Sequence, residues 1–492
     1  MGFKTSAMES SKKYFLSILL CLLFHLWGSS QAATPVAQHQ TQPVAVVVER
    51  LEKDIPQLMK DADIPGLSAA LIRNGKLVWH KNFGVANAET NEPVTDETIF
   101  EAASLTKIVT AYAALQLVDQ GKLDLDKPLN QYLGNNYDAG DDQRINLITA
   151  RHVLSHSSGF PNWRPQGSPT LPIRFTPGEK FSYSGEGFVY LSKVIEHITS
   201  MKFDEYIKKN VFDPLQMSHS SFSWLDSYKK LHVYRHDGFG KKTSRSEEPG
   251  YNAAASLRTT AEDYANFVIA VLKGKGLKKT TWQQMLSSQI IVDKEKAPQV
   301  SWGLGLGLET SAVGKTFWHW GDQGDSKCYV TAFIEPQDAI VYFTNSRNGL
   351  SITHTILEDA IGGEHPALAW LNYERYNPAA KNLLHAVNDK GAVAALNEYR
   401  LLREQNKIQG LQEASMNSIG YQLLQLNKVN DAIEIFKQNT VDFPQSGNTW
   451  DSLAEAYMIN GNKELAIEYY EKSLKLDPDN SNAVEQLKKL KS

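Results

Sequence analysis

Ser104 and Lys107 stand three residues apart in the stretch Ile99-Phe-Glu-Ala-Ala-Ser-Leu-Thr-Lys-Ile-Val-Thr110. On a helix that spacing puts the two side chains one turn apart on the same side. An amine there can reach a hydroxyl and take its proton, which turns serine into a nucleophile toward a carbonyl carbon. Apolar Ile108, Tyr112, Leu115 and Val118 follow at helical spacing, so a helix is expected from Ser104 to about Gln120. Ser104 then sits in its N-terminal turn, where free backbone N–H groups and the dipole favour negative charge. The pair alone is a weak signal, because Ser10 with Lys13 and Ser227 with Lys230 repeat it without catalytic surroundings. His152 and His156 are four apart and could share a metal, but Val153 stands where His-Glu-x-x-His needs glutamate and no third ligand is evident. Hydrogen bonding that holds a loop is the better reading of both, and no metal or other cofactor is expected. No Gly-x-Ser-x-Gly elbow occurs anywhere in the chain.

The elements that must position this pair follow from periodicity. Val48, Leu51, Ile55, Leu58 and Met59 mark an amphipathic helix over residues 45–61, ended by Pro65-Gly66. Leu67 to Ile72 and Lys76 to Val85 flank Asn74-Gly75, a strong hairpin signal. Residues 150–161 read as a short helix running into a loop. Phe181-Ser-Tyr-Ser-Gly-Glu-Gly-Phe188 leads into a helix through Val189, Leu191, Val194, Ile195 and Ile198. Residues 200–300 read as mostly helical, with loops around 219–252 and a helix entered near Thr260-Ala-Glu-Asp263. Strand signals return after residue 300: Trp302 to Glu309, Thr316 to Trp320, then Lys327 to Ile334 and Ala339 to Thr344 around Glu335-Pro-Gln-Asp338. The expected fold class is α+β, one antiparallel sheet flanked by helices with an inserted helical subdomain and an all-α repeat tail behind it. A site between sheet and subdomain is the default expectation.

The tail repeats itself. Pro444 and Pro478, Ala432 and Ala466, Phe436 and Tyr470, Leu424 and Met458, and Ile419 and Leu453 are each 34 residues apart, the period of tetratricopeptide helix hairpins. Ala395-Leu-Asn-Glu-Tyr399 echoes Ala432-Ile-Glu-Ile-Phe436 at a spacing of 37. The expected domains are therefore 45–365 for the catalytic part, 366–416 for a helical linker or degenerate repeat, and 417–492 for the repeats. The tail is either a groove for a protein partner or a small stack packed on the catalytic domain.

At the other end, Lys12 and Lys13 precede an apolar run from Phe15 to Leu26, and Ser30-Gln31-Ala32 supplies small residues at a cleavage point. Residues 1–32 are expected to be a signal peptide cleaved after Ala32, the alternative being an uncleaved anchor. Residues 33–44 read as a flexible leader. The destination is periplasmic or secreted, and no span is expected in the mature chain. Leu20 before Cys21 argues against lipidation, and Cys328 reads as a buried strand residue. The 492 residues, 42% hydrophobic and 22% charged, carry a formal charge of −4. That near-neutrality argues against a nucleic-acid partner.

Three stretches now stand in order: Ser104-x-x-Lys107, Tyr183-Ser184-Gly185 and His319-Trp320-Gly321-Asp322. Together they resemble the motifs of the serine β-lactamase, penicillin-binding protein and esterase superfamily, in its class C-like branch. Thr149-Ala-Arg-His-Val-Leu-Ser-His-Ser-Ser-Gly159 and Ala255-Ser-Leu-Arg-Thr-Thr-Ala-Glu-Asp263 look like further landmarks, and the resemblance covers roughly residues 45–362. It implies a β-lactamase/transpeptidase-like fold. It implies that Ser104 is acylated, that Lys107 and Tyr183 share proton transfer, and that His319 stands where many members carry lysine. It also implies an oxyanion hole made by the backbone N–H groups of Ser104 and Asp322, with Gly185, Gly321 and Trp320 facing the substrate and Gly321 leaving room for its approach. Trp163, Trp302, Trp318 and Trp320 could line an apolar pocket, and core packing is the better account of at least two.

The departures matter. The second motif ends in Gly185 where asparagine is frequent, and His319 supplies no permanent cation for a substrate carboxylate. The expectation is an exported serine hydrolase acting on a small molecule or short peptide, an esterase or a D-amino-acid peptidase. The alternatives are a β-lactamase, a penicillin-binding protein without turnover, or a repeat-mediated scaffold whose hydrolase domain is inert.

Overall fold

The structure, a computed structural model, describes residues 42–135, 137–165, 167–373 and 375–491. The expected signal peptide, residues 1–32, and nearly all of the expected leader lie outside them. A helix spans Val44–Asp61 and buries Val47, Leu51, Ile55 and Met59, four residues apart on one side. Two strands follow, β1 (Gly66–Arg73) and β2 (Lys76–Asn87). Asn74 and Gly75 both take positive φ, 49° and 64°, as the tight turn between right-twisted strands requires. The remaining strands are β3 (Glu92–Pro93), β4 (Phe100–Glu101), β5 (Arg258–Thr259), β6 (Ile290–Asp293), β7 (Ala297–Trp302), β8 (Gly307–Ser311), β9 (Gly314–Asp322), β10 (Lys327–Phe333) and β11 (Ala339–Thr344). Nine of them form one antiparallel sheet in the order β3-β2-β1-β11-β10-β9-β8-β7-β6, and β4 pairs with β5 apart from it.

The fold is the expected α+β arrangement. Strands β1, β10 and β11 are buried along their whole length, because alternate side chains enter two different cores. Leu67, Ala69, Leu71, Tyr329, Ile340 and Tyr342 pack with the Val44–Asp61 helix and the Thr353–Ala360 helix. Ala70, Ile72, Val330, Val341 and Phe343 pack on the other face with the helices Thr106–Asp119 and Ala261–Leu272. The segment between β3 and β6 carries those two helices and Gly185–Thr199. Two readings change. Residues 200–300 are less helical than expected, with long loops between Phe212 and Arg258. They also contain the hairpin β6–β7, whose short apolar runs flank Lys294-Glu-Lys296 and form the sheet's edge.

Beyond the sheet, Pro366–Leu371 is a short helix, and then hairpins follow: Pro378–Lys390 with Ala392–Glu404, Glu413–Gln425 with Val429–Asp442, and Gly447–Ile459 with Lys463–Leu476, closed by Ser481–Lys491. Two of the pairs matched at the 34-residue period, Ala432 with Ala466 and Phe436 with Tyr470, are fully buried at both positions. Ala395 and Tyr399 are buried in the same way, so the degenerate unit is also a hairpin. The first hairpin is tied to the catalytic part: Lys381 and His385 grip opposite oxygens of Asp63, at 3.0 and 2.8 Å. No described helix is long and apolar enough to cross a membrane.

Candidate active site

Ser104 sits in a 3-10 turn, Ala103–Leu105, and the α-helix proper starts at Thr106. The expected one-turn relation survives this shift: Lys107 Nζ donates to Ser104 Oγ at 2.9 Å. Ala103 takes φ 44°, a left-handed conformation rare for a residue with a side chain. The surroundings hold it there. Ala102 N–H donates to Leu257 O at 2.8 Å, and Leu257 N–H donates to Thr106 Oγ1 at 3.0 Å. The Cys328 thiol, buried on β10 as expected of a strand residue, donates to Ala102 O at 3.2 Å. Much of this support comes from residues 253–257, whose carbonyls also bind the helix: Thr110 Oγ1 donates to Ala253 O at 2.7 Å and Lys107 Nζ to Ala254 O at 2.8 Å.

Lys107 is fully buried and has no carboxylate partner among the described residues. Its ammonium faces aromatic rings instead, 4.8 Å from Tyr183 and 5.9 Å from both Trp163 and Phe188. Cation–π attraction offsets only part of the lost hydration, and burial brings its pKa down to about 7. Tyr183 moves the other way. Burial pushes its phenol up, while Ser104 beside it acts in the opposite sense. The hydroxyl makes no hydrogen bond of ordinary geometry, so it faces Ser104 as a neutral group.

His319 lies on β9, fully buried, with Nδ1 donating to Trp320 O at 2.7 Å and Nε2 unpartnered. Burial first, then the neighbouring Lys107, hold its pKa down to about 3, so the imidazole is neutral. His156 belongs in the same group. It is fully buried, its ring tilted 33° against that of Tyr183 at 4.2 Å, and its Nδ1 accepts the Ser184 N–H at 3.0 Å while its carbonyl accepts the Ser182 N–H at 2.7 Å. It does hold a loop, and the loop it holds is the one that carries Tyr183. His152 faces elsewhere, closing the capping box with Thr149.

Gly321 meets a packing constraint that adds to the expected one. A Cβ there would come within 2.2 Å of Cys328 Sγ and 2.8 Å of Ala102 O. The close approach of β9 to the turn that carries Ser104 by itself excludes a side chain at this position. Asp322 follows it on β9, with its carboxylate paired to Lys327 and accepting from Tyr373 Oη at 2.7 Å. Gly185 is the first residue of the Gly185–Thr199 helix, which Ser184 caps by accepting the Gly187 N–H at 3.1 Å, and the Gly185 N–H donates to Asn162 O and Oδ1 at 2.9 and 3.0 Å. A Cβ at 185 would meet the Trp163 indole at 2.7 Å. Trp163 thus fills the space where the family's asparagine would project, and it is 44% exposed. It borders a cavity of about 480 Å³ with Glu101, Tyr251, Asn252, Arg258 and Gln323. Of the other tryptophans, Trp302 and Trp318 are fully buried core, while Trp320 is half-buried and packs 5.0 Å from Tyr183.

The sequence reading assigned no part in the site to His156, Ala254, Asn162, Trp370 or Tyr373. Only His156 had a sequence signal, its place just before Ser157-Ser-Gly159; the Ala254 carbonyl belongs to the backbone and has none.

Comparison with known proteins agrees with this geometry. The β-lactamase family profile matches residues 51–358, and the tetratricopeptide repeat profile matches residues 447–480. "Protein flp" of Staphylococcus aureus (strain N315) is 25% identical over 263 residues, covering 48% of this chain and 51% of that protein. The chain therefore spans about half the length of the flp proteins it matches. A "Beta-lactamase" of Pseudomonas fluorescens is 26% identical over 253 residues, 48% of this chain and 68% of that one. Among solved structures, the octameric penicillin-binding protein homologue from Pyrococcus abyssi aligns with TM-score 0.56 and 26% identity over 69% of this chain and 82% of its own. D-alanine carboxypeptidase AmpC from Burkholderia cenocepacia shares the fold at 18% identity and TM-score 0.54, over 64% of this chain and 99% of its own.

Proposed function

Since the chain belongs to the β-lactamase family, we propose that it is a serine hydrolase working through an acyl-serine intermediate, with an ester or a D-amino-acid peptide as substrate. The observation that carries this reading is Lys107, uncharged for a substantial fraction of the time near pH 7 and 2.9 Å from Ser104 Oγ. A neutral amine at that distance accepts the serine proton as Oγ bonds to the carbonyl carbon. The tetrahedral oxyanion is met by the backbone N–H groups of Ser104 and Asp322. Collapse breaks the bond to the leaving alcohol or amine, which takes its proton from Lys107 by way of the Tyr183 hydroxyl. Water then attacks the acyl-serine by the same route in reverse, releasing the acid and restoring Ser104. His319 and His156, both neutral, shape the pocket without adding charge.

The choice of substrate rests on charge. Near Ser104, Lys327 is paired with Asp322 and Arg235 with Glu101, and the buried Arg258 turns its NH groups to the carbonyls of Phe222, Ser246 and Ser256, so each of these cations is already engaged within the protein. Trp163 in place of an amide offers an apolar wall rather than a hydrogen bond. Both features favour esters and neutral peptide ends over β-lactams. Export to the periplasm or medium, read from residues 1–32, belongs to the same proposal. The test is a panel of p-nitrophenyl esters of increasing chain length, a D-Ala-D-Ala peptide and nitrocefin, run on the full chain and on Ser104→Ala. Ester or peptide turnover lost in Ser104→Ala is expected. Nitrocefin as the best substrate would overturn the substrate assignment, and turnover that survives in Ser104→Ala would overturn the mechanism.

A further inference from the structure

The connector between sheet and repeats passes through the active site. Trp370 closes the aromatic wall there, 5.8 Å from Phe181, 5.9 Å from Trp318 and 6.2 Å from Trp320. Three residues on, Tyr373 donates its hydroxyl to Asp322, the residue beside Gly321 on β9. The same Tyr373, with Asn372, borders two cavities of about 700 and 580 Å³. These lie along the face made by the first helices of successive hairpins, Pro378–Lys390, Glu413–Gln425 and Gly447–Ile459. One tyrosine side chain separates this groove from Asp322.

Carboxamides recur along the groove. Asn372, Asn382, Gln409, Gln412 and Asn417 line it, and none makes a side-chain hydrogen bond to another described residue. The Oδ1 of Asn417 is buried and unpartnered. His354, Arg375 and Glu413 are the only histidine, basic or acidic side chains in the lining of the two cavities. A carboxamide offers a donor and an acceptor together and no charge. A row of them therefore matches the N–H and C=O groups that an extended peptide presents every 3.3 Å or so, whatever its side chains. Tyr373, Tyr376 and Tyr421 supply aromatic faces in the same lining, so a sugar ring is the ligand that competes with a peptide here.

We propose that this groove is a subsite for the substrate itself: an extended, uncharged peptide lies along the carboxamides and brings its reacting acyl group past Tyr373 to Ser104. The inference rests on the acyl-transfer reading above. Its test compares two substrates of the full chain, a D-amino-acid ester and the same ester extended by about six neutral residues, roughly 20 Å when stretched. In Gln412→Ala/Asn417→Ala, kcat/KM for the long substrate should fall about tenfold, mainly through KM, as loss of two or so hydrogen bonds implies. The short ester should be turned over as before. Equal losses on both substrates, or no preference of the unaltered chain for the longer one, would overturn the proposal. So would inhibition by a neutral oligosaccharide but not by the peptide. If neither ester reacts, the acyl-transfer reading has failed. Fluorescence anisotropy of a labelled peptide then decides the groove alone: binding that weakens in the double variant supports it, and no binding overturns it.

Discussion

Lys107 is suited to the proposed role of base because it is surrounded by rings and carbonyls rather than carboxylates. An acid beside it would restore its charge and silence it. The same pocket explains Gly185. The family's asparagine cannot be installed there alone, because Trp163 already occupies the space at 2.7 Å from a would-be Cβ. Gly185→Asn is therefore expected to lower ester kcat/KM by about tenfold or more, since displaced packing near a reacting group costs a kcal/mol or two. Adding Trp163→Ala should recover much of that loss, a non-additivity that marks direct contact. Kinetics of the two single variants and the double variant check it; simple additivity would contradict it.

At the scale of elements, the Asn74-Gly75 hairpin, the β10–β11 pair and the nucleophile helix were all legible in the sequence, because each is marked by local periodicity or turn chemistry. The Ser104–Lys107 pair, whose spacing recurs at Ser10 with Lys13 and Ser227 with Lys230, was singled out only by its order with Tyr183 and His319. The edge hairpin β6–β7 was not legible, since Ile290-Ile-Val is too short to separate from its helical neighbours. The parts of the site made by long-range contacts were equally hidden. His156 reads as an ordinary loop histidine until the 181–184 segment folds over it. The packing constraint on Gly321 stays hidden until β9 is laid against Ala102 and Cys328. Trp370 and Tyr373 lie beyond the last strand, and only the connector's return to β9 brings them to the site.

For the whole molecule, several buried histidines set the response to acid. His319, His232 and His156 all titrate below the ordinary histidine range when folded, the first two at about 3 and about 4, mainly through burial. Between those values and about 6.5 the unfolded chain binds more protons than the folded one, so stability falls as pH falls through that window. Lys107 acts in the same direction higher up: its folded pKa of about 7 lies below its unfolded one, so stability rises with pH from about 7 to about 10.5. The urea midpoint should therefore drop between pH 7 and pH 4.5. The drop should be smaller in His319→Gln by up to one proton's worth, on the order of 1.4 kcal/mol per pH unit. An unchanged pH slope in that variant would contradict the assignment.

The most direct test of the account is the pH dependence of covalent labelling by a fluorophosphonate, with the modified peptide identified by mass spectrometry. The expected adduct is on Ser104, forming at a rate that rises through about pH 7 as Lys107 loses its proton, and in Lys107→Met forming slowly with no such rise. An adduct on another serine, or the same rising profile without Lys107, would contradict it.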